Sequence, residues 1–150
     1  MARRYSVTTS DTNTAATTIG GITSAATVRP HIYDILCGSD ASPADNAASY
    51  AIQRYTAAGT STAVVPQAID PANASLALAS AGKAHSGEPT YTSAAILLEW
   101  AQNQRVTFRW VASPSGTLIL PATAANGAGA VVVAVGGSAV NTIIVFHYEE

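Results

Sequence analysis

Charged side chains are scarce in this sequence: 11% of its 150 residues are Asp, Glu, Lys or Arg, against about 25% in an ordinary soluble domain. Lys83 is the only lysine, and seven cations against nine carboxylates leave a net charge of −2. Phosphate-driven nucleic-acid binding needs several converging cations. The scattered Arg3, Arg4, Arg29, Arg54, Lys83, Arg105 and Arg109 do not supply them, so no nucleic acid is expected as a partner. The single cysteine, Cys37, excludes an internal disulfide framework. Long apolar runs are missing too. The longest, residues 128–135, is far short of the roughly 20 residues a membrane helix needs, so no membrane partner is expected. The start, Met-Ala-Arg-Arg-Tyr-Ser, has the charge of a signal peptide's first region without the apolar run that should follow. The expectation is a protein made in a cytoplasm, where Asn73-Ala74-Ser75 goes unused as a glycosylation acceptor.

Catalytic and ligand-binding signatures are missing as well. His31 and Asp34 are three apart, which on a strand puts them on opposite faces. His85-Ser86-Gly87-Glu88 reads as a solvated loop with two ligands where a structural zinc wants four. His147, between Phe146 and Tyr148, reads as a sheet-face or interface histidine. There is no Gly-x-Ser-x-Gly elbow. No phosphate-loop Gly-Lys-Thr/Ser occurs, and Gly127-Ala128-Gly129 meets Val132 where a dinucleotide fingerprint wants glycine. Cys37, sharing a strand face with Tyr33 and Ile35, reads as a buried inert thiol. The expectation is a non-enzyme with no catalytic residues, metal or cofactor.

Small residues and period-two alternation are what the chain has in quantity. It holds 31 alanines, 17 threonines, 14 serines and 11 glycines. Over residues 104–112, Val106, Phe108, Trp110 and Ala112 alternate with Arg105, Thr107, Arg109 and Val111, the pattern of a half-buried strand. Similar runs cover 4–9, 31–37, 48–55, 92–100, 117–120, 130–135 and 140–148, separated by turn-forming clusters at 38–43, 113–116, 126–129 and 136–138. About eight short strands punctuated in this way predict an all-β fold, an antiparallel β-sandwich of jelly-roll type, as a single domain over residues 1–150. One long loop insertion is expected at about 65–89. Within it Asp70-Pro71 and Gly82 would bound a short helix, while Leu76 and Leu78 alternate as in a strand.

Two strands are apolar on both faces: Val131, Val133 and their neighbours, and Ile143 and Val145 with theirs. An antiparallel sandwich leaves alternate side chains to water, so either the long insertion or a neighbouring subunit must cover these faces. Arg105 and Arg109 share a strand face, either as a partner-contacting pair or as a solvated face balanced by cross-strand carboxylates. The start, Arg3-Arg4-Tyr5, is either an arm at residues 1–5 reaching onto a partner or a terminus without fixed structure. Arg3, Arg4, Tyr5, Arg105, Arg109, Val131, Val133, Ile143 and Val145 are thus the candidate interface residues.

The opening Met-Ala-Arg-Arg-Tyr-Ser-Val-Thr, the stretch Asn-Gln-Arg-Val-Thr-Phe-Arg-Trp-Val-Ala ending at Ala112, the run Leu-Pro-Ala-Thr-Ala-Ala-Asn-Gly ending at Gly127 and the closing Val-Phe-His-Tyr-Glu-Glu resemble small virion proteins of tailed double-stranded DNA bacteriophages. The likeness is to capsid decoration, or cement, proteins with a jelly-roll-like sandwich. That resemblance implies a homotrimer or homodimer on the capsid exterior that binds the major capsid protein and stabilises the shell. The competing reading is a receptor- or glycan-binding module of a phage head or tail fibre, suggested by Tyr50, Tyr55 and Tyr91 and by the polar loops.

Overall fold

A computed structural model describes residues 2–73 and 76–150. Among the described residues, twelve strands and one short 3₁₀ turn make up the regular structure: β1 (Arg4–Thr12), β2 (Thr18–Thr23), β3 (His31–Ser39), β4 (Ala47–Ala57), β5 (Thr60–Val64), β6 (Gln67–Ala68), the turn Pro71–Asn73, β7 (Ser80–Gly87), β8 (Thr90–Asn103), β9 (Phe108–Val111), β10 (Leu118–Ile119), β11 (Gly127–Val135) and β12 (Asn141–Glu149). All pairings are antiparallel and fall into two sheets. The first runs β10-β3-β12-β1-β6, with β9 also on the free side of β3; the second runs β5-β7-β2-β11-β4-β8. The expected all-β sandwich is therefore what the chain forms.

The order has a simple generator. Strand β1 pairs with β12, β2 with β11, β3 with β9 and β4 with β8. A long antiparallel ribbon rolled up on itself gives these pairs, which is the jelly-roll arrangement. Strands β5 to β7 lie at the tip of that ribbon and extend both sheets at one side.

The core lies between the sheets. Tyr5, Val7, Ile32, Ile35, Phe146 and Tyr148 of the first meet Ile22, Tyr50, Ile52, Ala130, Val132 and Trp100 of the second. Tyr5 stacks on Tyr148 at 5.5 Å, and Trp100 lies between Tyr50 and Phe108 at 5.5 and 4.7 Å. This Tyr50-Trp100-Phe108 column closes the open side of the sandwich, where β8 and β9 are the edges of their sheets. Asn13, Tyr50 and Thr142 pair their buried polar groups across the layers. The Asn13 amide donates to Tyr50 Oη (3.0 Å) and its carbonyl oxygen accepts from the Val140 amide (2.6 Å), while Tyr50 Oη also meets Thr142 Oγ1 at 3.2 Å. Burial raises the Tyr50 pKa.

Several local expectations are corrected. The segment 65–89 is not one loop: β6 adds to the first sheet, β7 sits inside the second between β5 and β2, and the helix shrinks to the Pro71–Asn73 turn. Part of the Asn73-Ala74-Ser75 acceptor pattern lies outside the described residues. The start is no arm, because Arg3 exchanges both main-chain hydrogen bonds with Glu150 and Tyr5 is fully buried in the core. The strand read at 104–112 begins only at Phe108, since residues 104–106 form the turn after β8. The one read at 117–120 keeps two residues, Leu118–Ile119. The cluster 126–129 is not a turn, for β11 begins at Gly127. Gly127 and Gly129 are glycines because aromatic rings lie over them: an added Cβ would come within 2.6 Å of the Tyr55 ring and 2.5 Å of Tyr91 Oη.

Candidate interaction surface

The solvent face of the first sheet gathers most of the chain's organised polar chemistry. Its side chains form rows across the strands. One row is Thr8, Val145, Leu36 and Arg109; the next is Ser6, His147, Asp34 and Val111; a third is Arg4, Glu149 and His31. A β-bulge builds the middle row. Tyr148 faces Ile32 and His147 faces Asp34, so β3 fits Tyr33 in as an extra residue. Tyr33 and Asp34 then both lie on the outer face while Ile32, Ile35 and Cys37 turn inward.

Asp34 is the hub. Its side chain is 5% exposed and accepts from Arg109 Nε at 3.0 Å, Arg109 Nη2 at 2.7 Å and His147 Nδ1 at 3.0 Å. The bidentate guanidinium fork is the strongest of these bonds by geometry. It holds the Asp34 carboxyl below its ordinary pKa; desolvation opposes this and His147 supports it. Tyr33 stacks at 6.2 Å on His147, and the Arg4 guanidinium sits 5.7 Å over the Tyr33 ring and 3.6 Å from Glu149. The charges on this face are thus tied to one another, and beside them lie the half-buried Ile143, Val145 and Leu36.

Ser6, His147 and Asp34 stand in one row, yet among the described residues no hydrogen bond joins Ser6 to His147. Among the described residues no cluster of three or more His, Cys, Asp or Glu could hold a metal ion, and no helix is long and apolar enough to cross a membrane.

The candidate interface residues do not share one surface. Arg4, Arg109, Ile143 and Val145 are on the outer face of the first sheet. Val131 and Val133 belong to the second sheet, on the far side of the molecule, where Val133 is 47% exposed at a bulge of β11. Arg3 is exposed beside Glu150, and Tyr5 is core. Arg105 and Arg109 form no pair: Arg105 lies in the turn after β8 and donates to the Pro43 carbonyl at 3.4 Å, while Arg109 is held by Asp34. Arg109 thus has a cross-strand carboxylate partner in Asp34. The Asp34 hub itself was not legible in the sequence, because the bulge at Tyr33 breaks the alternation on which face assignment rests.

A second feature lies on the outer face of the second sheet. Gly21, Gly82, Ser61, Ala63, Ser80 and Thr23 carry so little side chain that they leave a cleft of about 330 Å³ against Tyr55 and His85. His85 is on β7, not in a loop, and its Nδ1 donates to the Thr18 carbonyl at 3.2 Å. Tyr55 Oη meets Thr23 Oγ1 and Tyr91 Oη meets Thr18 Oγ1, both at 2.7 Å, and burial pushes Tyr55 up to about 12. Tyr50 and Tyr55 are buried, so they offer no stacking platform to a sugar.

No family model, curated protein or solved structure matches this chain.

Proposed function

We propose that this chain is a structural virion protein that binds the outer surface of a phage capsid and stabilises it, with the outer face of the first sheet as its contact surface. The observation that carries this reading is the composition of that face: Ile143, Val145 and Leu36, half-buried, form an uncharged patch beside charges already paired through Arg109-Asp34-His147 and Arg4-Glu149. Charge depletion at the centre of a patch is the compositional signal of an interface. The bulge and the cross-strand bonds fix the side chains before any partner arrives, which lowers the entropy cost of docking. The resemblance to decoration proteins agrees with this reading.

The mechanism is burial. Apolar area removed from water contributes about 25 cal/mol per Å², and a standard interface buries about 1,600 Å², most of the gross gain being offset by lost motion. Many copies on a fixed lattice then add small surpluses. Particles carrying the protein should survive heating or low salt that opens particles lacking it, and equal survival would overturn the proposal. Val145→Asp places a charge at the centre of the face, and its retention on purified particles is expected to fall at least about tenfold, a little over 1.4 kcal/mol.

A further inference from the structure

We propose that β8 is an assembly edge: two copies of the chain join by antiparallel pairing of residues 98–103 across a two-fold axis, running the second sheet from one copy into the other. This does not rest on the capsid-binding reading. It follows from how unevenly the four sheet edges are protected.

An edge strand presents unpaired N–H and C=O groups, and soluble proteins blunt such edges with short strands, prolines, lysines or bulges. Three of the edges here are blunted by length. Strand β5 has five residues and β6 has two, while the remaining edge of the first sheet is split into β9 with four and β10 with two, separated by the turn containing Pro114. Strand β8 has fourteen, paired on one side only, to β4. It contains no lysine, arginine or proline, and its single charge is Glu99.

Its first half does carry a protecting irregularity. Ala94 has a φ of 60°, and the register with β4 shifts repeatedly around Gln53 and Tyr55. From Leu98 to Asn103 the register with β4 is unbroken, so this half is straight and open. Apolar surface gathers on the same side of the molecule. Ile96 is 46% and Val106 54% exposed, and Leu97, Leu98 and Phe108 are only partly buried. Gln102 Nε2 donates to the Val106 carbonyl at 3.2 Å, which pins that turn against the strand.

A second copy fits this edge better than a foreign strand for a geometric reason. An antiparallel strand pair is two-fold symmetric, so an open strand is its own complement, and closed two-fold dimers are the commonest assembly. A pairing centred anywhere but Glu99 keeps the two carboxylates apart, so the lone charge sets register without forbidding association.

The test is sedimentation velocity of the isolated chain over a wide concentration range, beside Ile96→Lys and Ala101→Lys, with thermal melting as the folding control. The wild type should run at twice its 15.2 kDa mass, and each variant should weaken the dimer at least tenfold while melting as the wild type does. Hydrogen exchange of the wild type should show the amides of 98–103 protected at high concentration and released on dilution, which decides the matter if a variant fails to fold. A monomer at every concentration, a trimer, variants that associate unchanged, or protection of 98–103 that arises only on a capsid would each overturn the proposal. None of these outcomes alters the particle-survival measurement, so the two readings fail separately.

Discussion

Gly127 shows how a single side chain, by being absent, makes room for a larger one. A Cβ there would meet the Ile22 carbonyl oxygen at 2.1 Å and the Tyr55 ring at 2.6 Å, and the backbone oxygen cannot move aside. Gly127→Ala is expected to destabilise the fold by about 1–3 kcal/mol, the usual range for overpacking, measured by denaturant melts. In the sequence the same glycine reads as a turn residue, because nothing local records a tyrosine some seventy positions away.

Asp34 carries the pH dependence. Its folded pKa lies below the unfolded value near 3.9, so its contribution is present above the unfolded pKa and is lost as pH falls through the folded one. Asp34→Asn should therefore cost about 1–2 kcal/mol at pH 7, modest because Arg109 is 59% exposed. The gap between variant and wild type should close as pH drops below about 4. A gap of constant size down to pH 2 would show that the carboxylate's charge contributes nothing. The composition did make a cross-strand carboxylate partner for Arg109 legible, but which carboxylate depended on a bulge.

Among the elements, β3, β4 and β12 are legible in the sequence because Ile32, Ile35 and Cys37, Tyr50 and Ile52, and Ile144, Phe146 and Tyr148 hold their inward positions with large side chains. Strands β2 and β7 are not. Gly20, Gly21 and Gly82 replace the side chains that would mark alternation, and they do so to admit Thr9, Tyr55 and Ser61. The connection before β7 is secured from the opposite end of the chain, where the Glu150 carboxylate accepts from the amides of Leu78 and Ala79 at 2.7 and 3.0 Å. Glu150→Ala should raise hydrogen exchange at those two amides by about tenfold, the equivalent of one charged hydrogen bond of about 1.5 kcal/mol. Exchange in β12 and β3 should stay unchanged. A global rise would mean that the clasp supports the whole sandwich.

For the whole molecule, the two-layer β architecture follows from alternation and turns, whereas the placement of polar and apolar surface required the pairing. Val131 and Val133 look equivalent to Ile143 and Val145 along the chain, and the roll puts them on opposite sides. The same roll has a consequence for how the protein comes into being. Strands β11 and β12 are translated after all the others, yet β12 is the interior strand between β1 and β3, and β11 the interior strand between β2 and β4. Until residues 127–149 leave the ribosome, neither sheet has its middle. The nascent chain must hold its apolar strands apart while it waits, and a chain released early keeps the edges but loses the strands that join them. Low charge leaves little to keep such fragments in solution, so synthesis is the stage at which this fold is most exposed to aggregation.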